Sequence, residues 1–214
     1  MDGVYLPYWA FDAAGHVAYR GERGEYYYET VRYTENGEDK TREERRTRWY
    51  NASGAIDVAY DDVLVCGSPS LPEKLIEKLE PWDLPSLATF DGRFLAGFAA
   101  ERYRVDAKAG FETAKERVDP DIRKQIRRDI GGDEQRIHDV NTDWNAVGFR
   151  HVLLPLWLSA FRYRDRVFHV TINARTSEIA GERPYSAAKI ALFVLAIAAL
   201  IAGIAYAIYR ARQH

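Results

Sequence analysis

The sequence predicts an α+β fold: antiparallel β-rich segments at both ends of a soluble domain, a helical middle, and one C-terminal transmembrane helix. Three observations predict it. The first third is rich in Tyr and Val, in short runs separated by turn signals. The middle places apolar residues at helical spacing. The run IALFVLAIAALIAGIAYAIY at 190–209 has no charge and no proline. Its roughly 20 residues would span about 30 Å as a helix. The boundaries that follow are a soluble domain over 1–186 (β-rich 1–66, helical 71–131, β-rich 134–181), a transmembrane helix over 187–209 and a short tail over 210–214.

Within the first third, residues 4–11 form an apolar, aromatic run. Asp12-Ala13-Ala14-Gly15 reads as a turn. Residues 16–19 and 25–33 follow as strands. Asn36-Gly37 is a hairpin signal. The chain returns over 41–50, and Ser53-Gly54 turns it into 56–59. Residues 38–48 (EDKTREERRTR) are dense in charge, so this hairpin projects into water. A contact arm is the functional alternative to a merely solvated hairpin.

Leu71-Pro72 opens the helical middle, with proline in a first helical turn. Leu75, Ile76 and Leu79 make an apolar stripe that Pro81 ends. Leu95, Phe98 and Ala99 predict a second helix over 92–103. A third covers 110–130, kinked or restarted at Pro120 and stopped by Gly131-Gly132.

The last soluble third returns to strands at 135–140, 151–163 and 167–172, with turns at Arg164-Asp165 and over 173–177. Residues 178–181 make a short return, and 183–188 lead into the apolar run. Val4-Tyr5-Leu6-Pro7-Tyr8-Trp9 echoes Val152-Leu153-Leu154-Pro155-Leu156-Trp157, which reads as two related sheet modules flanking a helical insert. Proline inside such runs points to strand starts or edges.

Ile190, Leu195, Leu200, Gly203 and Ile208 mark the expected membrane anchor, and the lipid bilayer is then a partner. Lys189, Arg183, Arg210 and Arg212 flank it as snorkelling cations. Tyr185, Tyr206 and Tyr209 stand at interfacial depth. Ala199, Gly203 and Ala207 form a small-xxx-small row, a weak signal for close helix pairing. Residues 1–11 carry neither a basic n-region nor an apolar h-region, so the soluble domain is expected to face the cytoplasm from a single-pass, tail-anchored position at the cytoplasmic (plasma) membrane. The lone Cys66 agrees, since it can form no intramolecular disulfide.

The chain has 30 basic and 32 acidic residues. Because Lys189, Arg210 and Arg212 lie in the tail, the part before them carries a net charge of about −5. That balance argues against nucleic acid as a partner.

No catalytic constellation emerges, and no cofactor or metal is expected. His138, Asp139 and His151 or His169 match no ligand spacing and read as surface or packed polar residues. Cys66 reads as a small buried hydrophobe, and Ser68 and Ser70 lack a nucleophile elbow. Arg123, Lys124, Arg127 and Arg128 cluster near a helix end, where they suit its dipole or an acidic partner. Trp9, with Tyr5, Tyr8 and Phe11, is either core or a partner-binding platform.

Tyr5-Leu6-Pro7-Tyr8-Trp9-Ala10-Phe11-Asp12, then Leu153-Leu154-Pro155-Leu156-Trp157, Thr171-Ile172-Asn173, Thr176 and Gly181-Glu182-Arg183-Pro184-Tyr185-Ser186 before an apolar tail, resemble a family of bacterial membrane proteins. The family is usually described as TFIIB-type zinc-ribbon-containing, and some members carry the label primosomal protein N′ (replication factor Y)-like. The resemblance runs in order from Tyr5 to the tail. Family members typically begin with a zinc ribbon of two Cys-x-x-Cys pairs. Here Cys66 is the sole cysteine, so the chain is expected to lack the ribbon. The helicase label finds no phosphate-binding loop to support it. The resemblance implies a neighbour of membrane-stress proteins that recruits them.

The expectation is therefore a membrane-anchored adaptor or scaffold for protein partners, able to form homo-oligomers, and not an enzyme. A membrane-bound hydrolase using the His138, Asp139 and His151 region is the alternative. A nucleic-acid-associated factor is a second.

Overall fold

A computed structural model describes residues 2–35, 37–163, 166–182 and 187–211. Two very long strands, β1 (Asp2–Glu35) and β2 (Glu38–Cys66), form one antiparallel hairpin with Glu35 opposite Glu38. Gly37 turns the chain at φ +82°, in the left-handed region that glycine enters without a Cβ penalty. Asn36 of the expected turn lies outside the described residues. After β2 come α1 (Glu73–Glu77), single 3₁₀ turns at Leu84–Ser86 and Gly92–Leu95, and β3 (Ala99–Ala100). Then follow α2 (Ala107–Ile130), β4 (Glu134–Tyr163), β5 (Arg166–Asn173), β6 (Ile179–Gly181) and α3 (Ala187–Ala211).

The sheet has the order β2-β1-β4-β5-β6, and β3 joins β1 where β2 has ended. Every pairing but that short parallel one is antiparallel. This corrects the expected α+β division into two β-rich ends around a helical middle: a single sheet dominates and the ends pair with each other. The two Leu-Pro-x-Trp echoes are neighbours, with Val4 opposite Leu156, Leu6 opposite Leu154 and Tyr8 opposite Val152. Both prolines sit in this central pair. The Pro7 carbonyl accepts from the Gly67 amide and the Pro155 carbonyl from the Ala174 amide. The N–H and C=O of one strand residue point to the same side. Each missing N–H therefore points away from the β1–β4 ladder, so neither proline breaks it.

Two further expected turns are corrected to continuous strand. At Asp12-Ala13-Ala14-Gly15 the chain only bulges, with a register shift between Phe11 and Ala13. Gly15 is required there because a Cβ would stand 2.9 Å from the Asp143 carbonyl oxygen across the strand. Gly54 likewise turns nothing: it makes room for the Tyr19 ring. The separate strands expected over 135–140 and 151–163 are one strand, β4. The turn read at Arg164-Asp165 lies outside the described residues.

The helix expected over 92–103 is also corrected. Gly97 adopts φ +84° and stops the 3₁₀ turn. Phe98 then swings over Gly3, Tyr5 and Trp157, and Ala99–Ala100 pairs as strand with Val4 and Tyr5. The apolar spacing at 95, 98 and 99 served a sheet face instead of a helix stripe.

Cover decides where the core lies. At the proline end the sheet is covered on both faces. Leu6, Tyr8, Ala10, Leu154 and Leu156 pack against Leu75, Ile76, Leu79 and Trp82. Trp9, Phe11 and Val65 pack under the start of α2 at Ala114. Double cover explains the unbroken apolar run over 4–11. Farther along, only one face is covered: Val17, Tyr19 and Val58 meet Val118, Ile122, Ile126 and Ile130 of α2. The buried residues of α2 recur every fourth position from Gly110 to Ile130. Asp106 caps its first turn by accepting from the Ala109 amide, and Gly131 ends it at φ +66°. The helix passes through Pro120 without interruption, with that ring on the exposed side.

Ile190, Leu195, Leu200, Gly203 and Ile208 fall on α3. Leu195 and Leu200 are exposed, and a Cβ at Gly203 would meet no neighbour. Among the described residues, no helix is long and apolar enough to cross a membrane. This corrects the expected transmembrane helix, and with it the membrane, single-pass and tail-anchored assignment.

Candidate functional site

Beyond Gly24, β1 and β2 leave β4 behind and continue as a two-stranded arm. The arm holds itself together by cross-strand pairs. The Arg45, Arg48 and Arg42 guanidiniums lie over the Tyr26, Tyr27 and Tyr33 rings, and Arg46 pairs with Glu29 at 2.9 Å. Its root is tied to the chain after α2, where the Tyr26 amide donates to Asp133 and its hydroxyl to Glu134. The Glu134 bond holds the Tyr26 phenol above its ordinary pKa.

The other prominent feature is an aromatic cleft of about 500 Å³. On one side stand Tyr5, Tyr103, His151 and Leu153; on the other, Leu87, Phe90, Phe94 and Leu95. His151 is fixed edge-on against Trp9 at 4.1 Å and stacked on Tyr103 at 4.5 Å between ring centroids. The Tyr103 hydroxyl donates to the Tyr8 and Val152 carbonyls, stitching β1 to β4 beneath the cleft. Burial pushes that phenol up to about 12. Phe90 is 61% exposed and Phe149, beside His151, is 55% exposed, so the apolar surface extends past the cleft mouth.

The cleft borders an open strand edge. β5 pairs with β4 only from Leu156 onward, and among the described residues no strand covers β4 over 134–155. Pro155 turns its carbonyl outward to Ala174. Peptide groups alternate sides along a strand, and the β1–β4 register is unshifted from Ala146 upward. Val147, Phe149, His151 and Leu153 therefore present both N–H and C=O to the open edge. Their side chains share the face of Trp9 and Phe11, which is the face of the cleft. At the base of this edge a polar clasp fixes the bulge. Arg150 pairs with Asp62 and lies 3.7 Å from Asp12, while the Asp62 amide donates to Asp12. Asp62 itself has φ +56°.

The residues singled out from sequence are placed apart. Trp9 is 5% exposed and donates from Nε1 to the Val105 carbonyl, so it is core and supports the cleft from below. Arg123 pairs with Asp119 one turn away, and Lys124, Arg127 and Arg128 lie exposed on α2. His138 and His151 are on the same strand, roughly 40 Å apart at the usual rise per residue. His138 stands 3.5 Å from Glu22, Asp139 pairs with Arg20, and His169 is 3.9 Å from Glu182. No acid–base group assembles from them. Ser68 and Ser70 both donate to Glu101. Among the described residues, no group of three or more His, Cys, Asp and Glu is placed to hold a metal ion. Asn173, completely buried, donates to the Leu79 carbonyl and accepts from the Arg175 and Thr176 amides. It locks the β5–β6 turn onto α1 and is structural.

Sequence reasoning missed the cleft because its outer side comes from 87–95, where 87–91 belong to no expected element and 92–95 open an expected helix. The available signal was the number of large apolar residues within nine positions, Leu87, Phe90, Phe94 and Leu95, the first two outside any expected element.

No model of a known protein family matches the chain. It is similar to the uncharacterized protein YdjG of Bacillus subtilis (strain 168), with 29% identity over 200 residues. The match covers 92% of this chain and 56% of that relative, so the chain spans little more than half of the protein it matches. No solved structure matches.

Proposed function

We propose that this chain is a protein-interaction module, an adaptor that holds a partner protein against its sheet. One observation carries the reading: the β4 edge is open, apolar over 146–149 and 152–154, and continuous with the aromatic cleft. Exposed edges of this kind are ordinarily blunted by charge, by proline or by a covering element, because unpaired peptide groups recruit other strands. The family resemblance to zinc-ribbon-type recruiters supports the same reading without naming the partner. The hydrolase reading has no assembled group behind it. The nucleic-acid reading meets an arm whose acidic and basic side chains nearly balance over 25–48.

A photocrosslinking residue placed at Phe149 of the full chain, in intact cells, tests this. A discrete crosslinked partner that is absent when the crosslinker sits at Arg20 supports the adaptor. Identical diffuse labelling from both positions overturns it.

A further inference from the structure

We propose that the β4 edge and its cleft receive a short extended segment of another protein, added as a strand beside 147–153, with bulky apolar side chains at alternate positions. This rests on the adaptor reading and specifies its ligand chemistry. The edge dictates the backbone: Val147, Phe149, His151 and Leu153 offer outward N–H and C=O groups at every second residue, the repeat an extended peptide returns. The added strand continues the line of β5, whose ladder with β4 stops at Leu156–Asn173. The cleft dictates the side chains. Those on the cleft face of the added strand meet His151, Leu153 and Phe90.

The β4 strand of a second copy of this chain does not fit the same place. β4 is 30 residues long. Laid antiparallel on its own counterpart across 147–153, it would run past Pro155 into the position that β5 occupies. Sliding it clear of β5 sets the polar stretch at 134–143, with Asp139 and Asp143, against Val147 and Phe149. The site admits a segment of about seven residues that ends before Pro155.

The test uses the full chain and synthetic peptides in fluorescence anisotropy. The probe alternates Thr with Val or Phe over seven positions. Two further versions carry N-methyl groups on alternate amides, one on each of the two backbone sides. The proposal expects saturable binding of the parent peptide and a loss of roughly tenfold for one N-methylated version, because only one set of amides faces β4. His151→Pro removes an outward N–H, so it is expected to weaken the parent peptide to a similar degree; circular dichroism confirms its fold. Equal binding of both N-methylated peptides would overturn strand addition, as would failure of every alternating peptide to bind. Sedimentation showing a dimer that dissociates in His151→Pro would make a second copy the occupant instead. The adaptor reading would survive any of these if the Phe149 crosslink persists.

Discussion

β1 is one strand but two environments. Over its first two dozen residues it has β4 on one side and β3 and then β2 on the other, under helical cover, and Leu6, Ala10 and Val17 are completely buried. Over 25–35, among the described residues, it has a partner strand on one side only and no helix on either face, and Tyr28 is 67% exposed. Backbone pairing is continuous through both. Strand continuity here therefore comes from the ladder with β2, whereas stability comes from whatever covers the sheet. Two of the open edges differ in the same way. The β2 edge along the arm is lined with Lys40, Arg42, Arg45, Arg46 and Arg48, which discourage another strand. The β4 edge at 147–149 carries no charge.

The sharpest test is Ile126→Ala, on the buried face of α2 at 0% exposure, against Tyr28→Ala in the arm. The first is expected to lower unfolding free energy by about 2–5 kcal/mol, since it removes buried methyl groups and leaves a cavity. In urea denaturation the second should stay within about 0.5 kcal/mol of the parent. Comparable losses would mean that the arm belongs to the cooperative core.

Gly21→Ala probes the last turn of cover before the arm. Its Cβ would collide with the Arg136 carbonyl oxygen, beside the register shift between Arg20 and Gly21. A loss of about 1–3 kcal/mol is expected, read by thermal or urea unfolding.

Tyr19 donates to Asp129 at 2.5 Å, and its phenol is pushed up to about 12, by burial first and by Asp129 second. The neutral phenol is the form favoured in the folded state. Its contribution is therefore complete below the unfolded value near 10 and is lost as pH rises through about 12. Tyr19→Phe should cost about 1 kcal/mol at neutral pH and flatten the alkaline loss between those values. An unchanged alkaline profile would assign the loss to other tyrosines.

The smallest effect concerns the edges. Val147→Lys gives the β4 edge the character of the β2 edge. Stability should move by less than about 0.5 kcal/mol, while crosslinking from Phe149 falls. A retained crosslink would place the partner elsewhere.

Much of the local structure was legible in the residues. Gly37 between two Tyr- and Arg-rich runs specified the hairpin tip, and the fourfold spacing of Ala114, Val118, Ile122, Ile126 and Ile130 specified a helix with one buried stripe. Those features depend on neighbours a few positions away, which a sequence displays directly. Tertiary structure alone decided the rest. Asp12-Ala13-Ala14-Gly15 and Ser53-Gly54 have turn composition, yet both are strand, because ladders on β1 satisfy their peptide groups and Gly54 must accommodate Tyr19. The spacing at Leu95, Phe98 and Ala99 fits a helix, but Gly3 offers Phe98 a place on the sheet. The cleft and the open edge arise where residues near 5, 90, 103 and 151 converge. Such a site depends on which strand lies beside which, and nothing local in the chain encodes that choice.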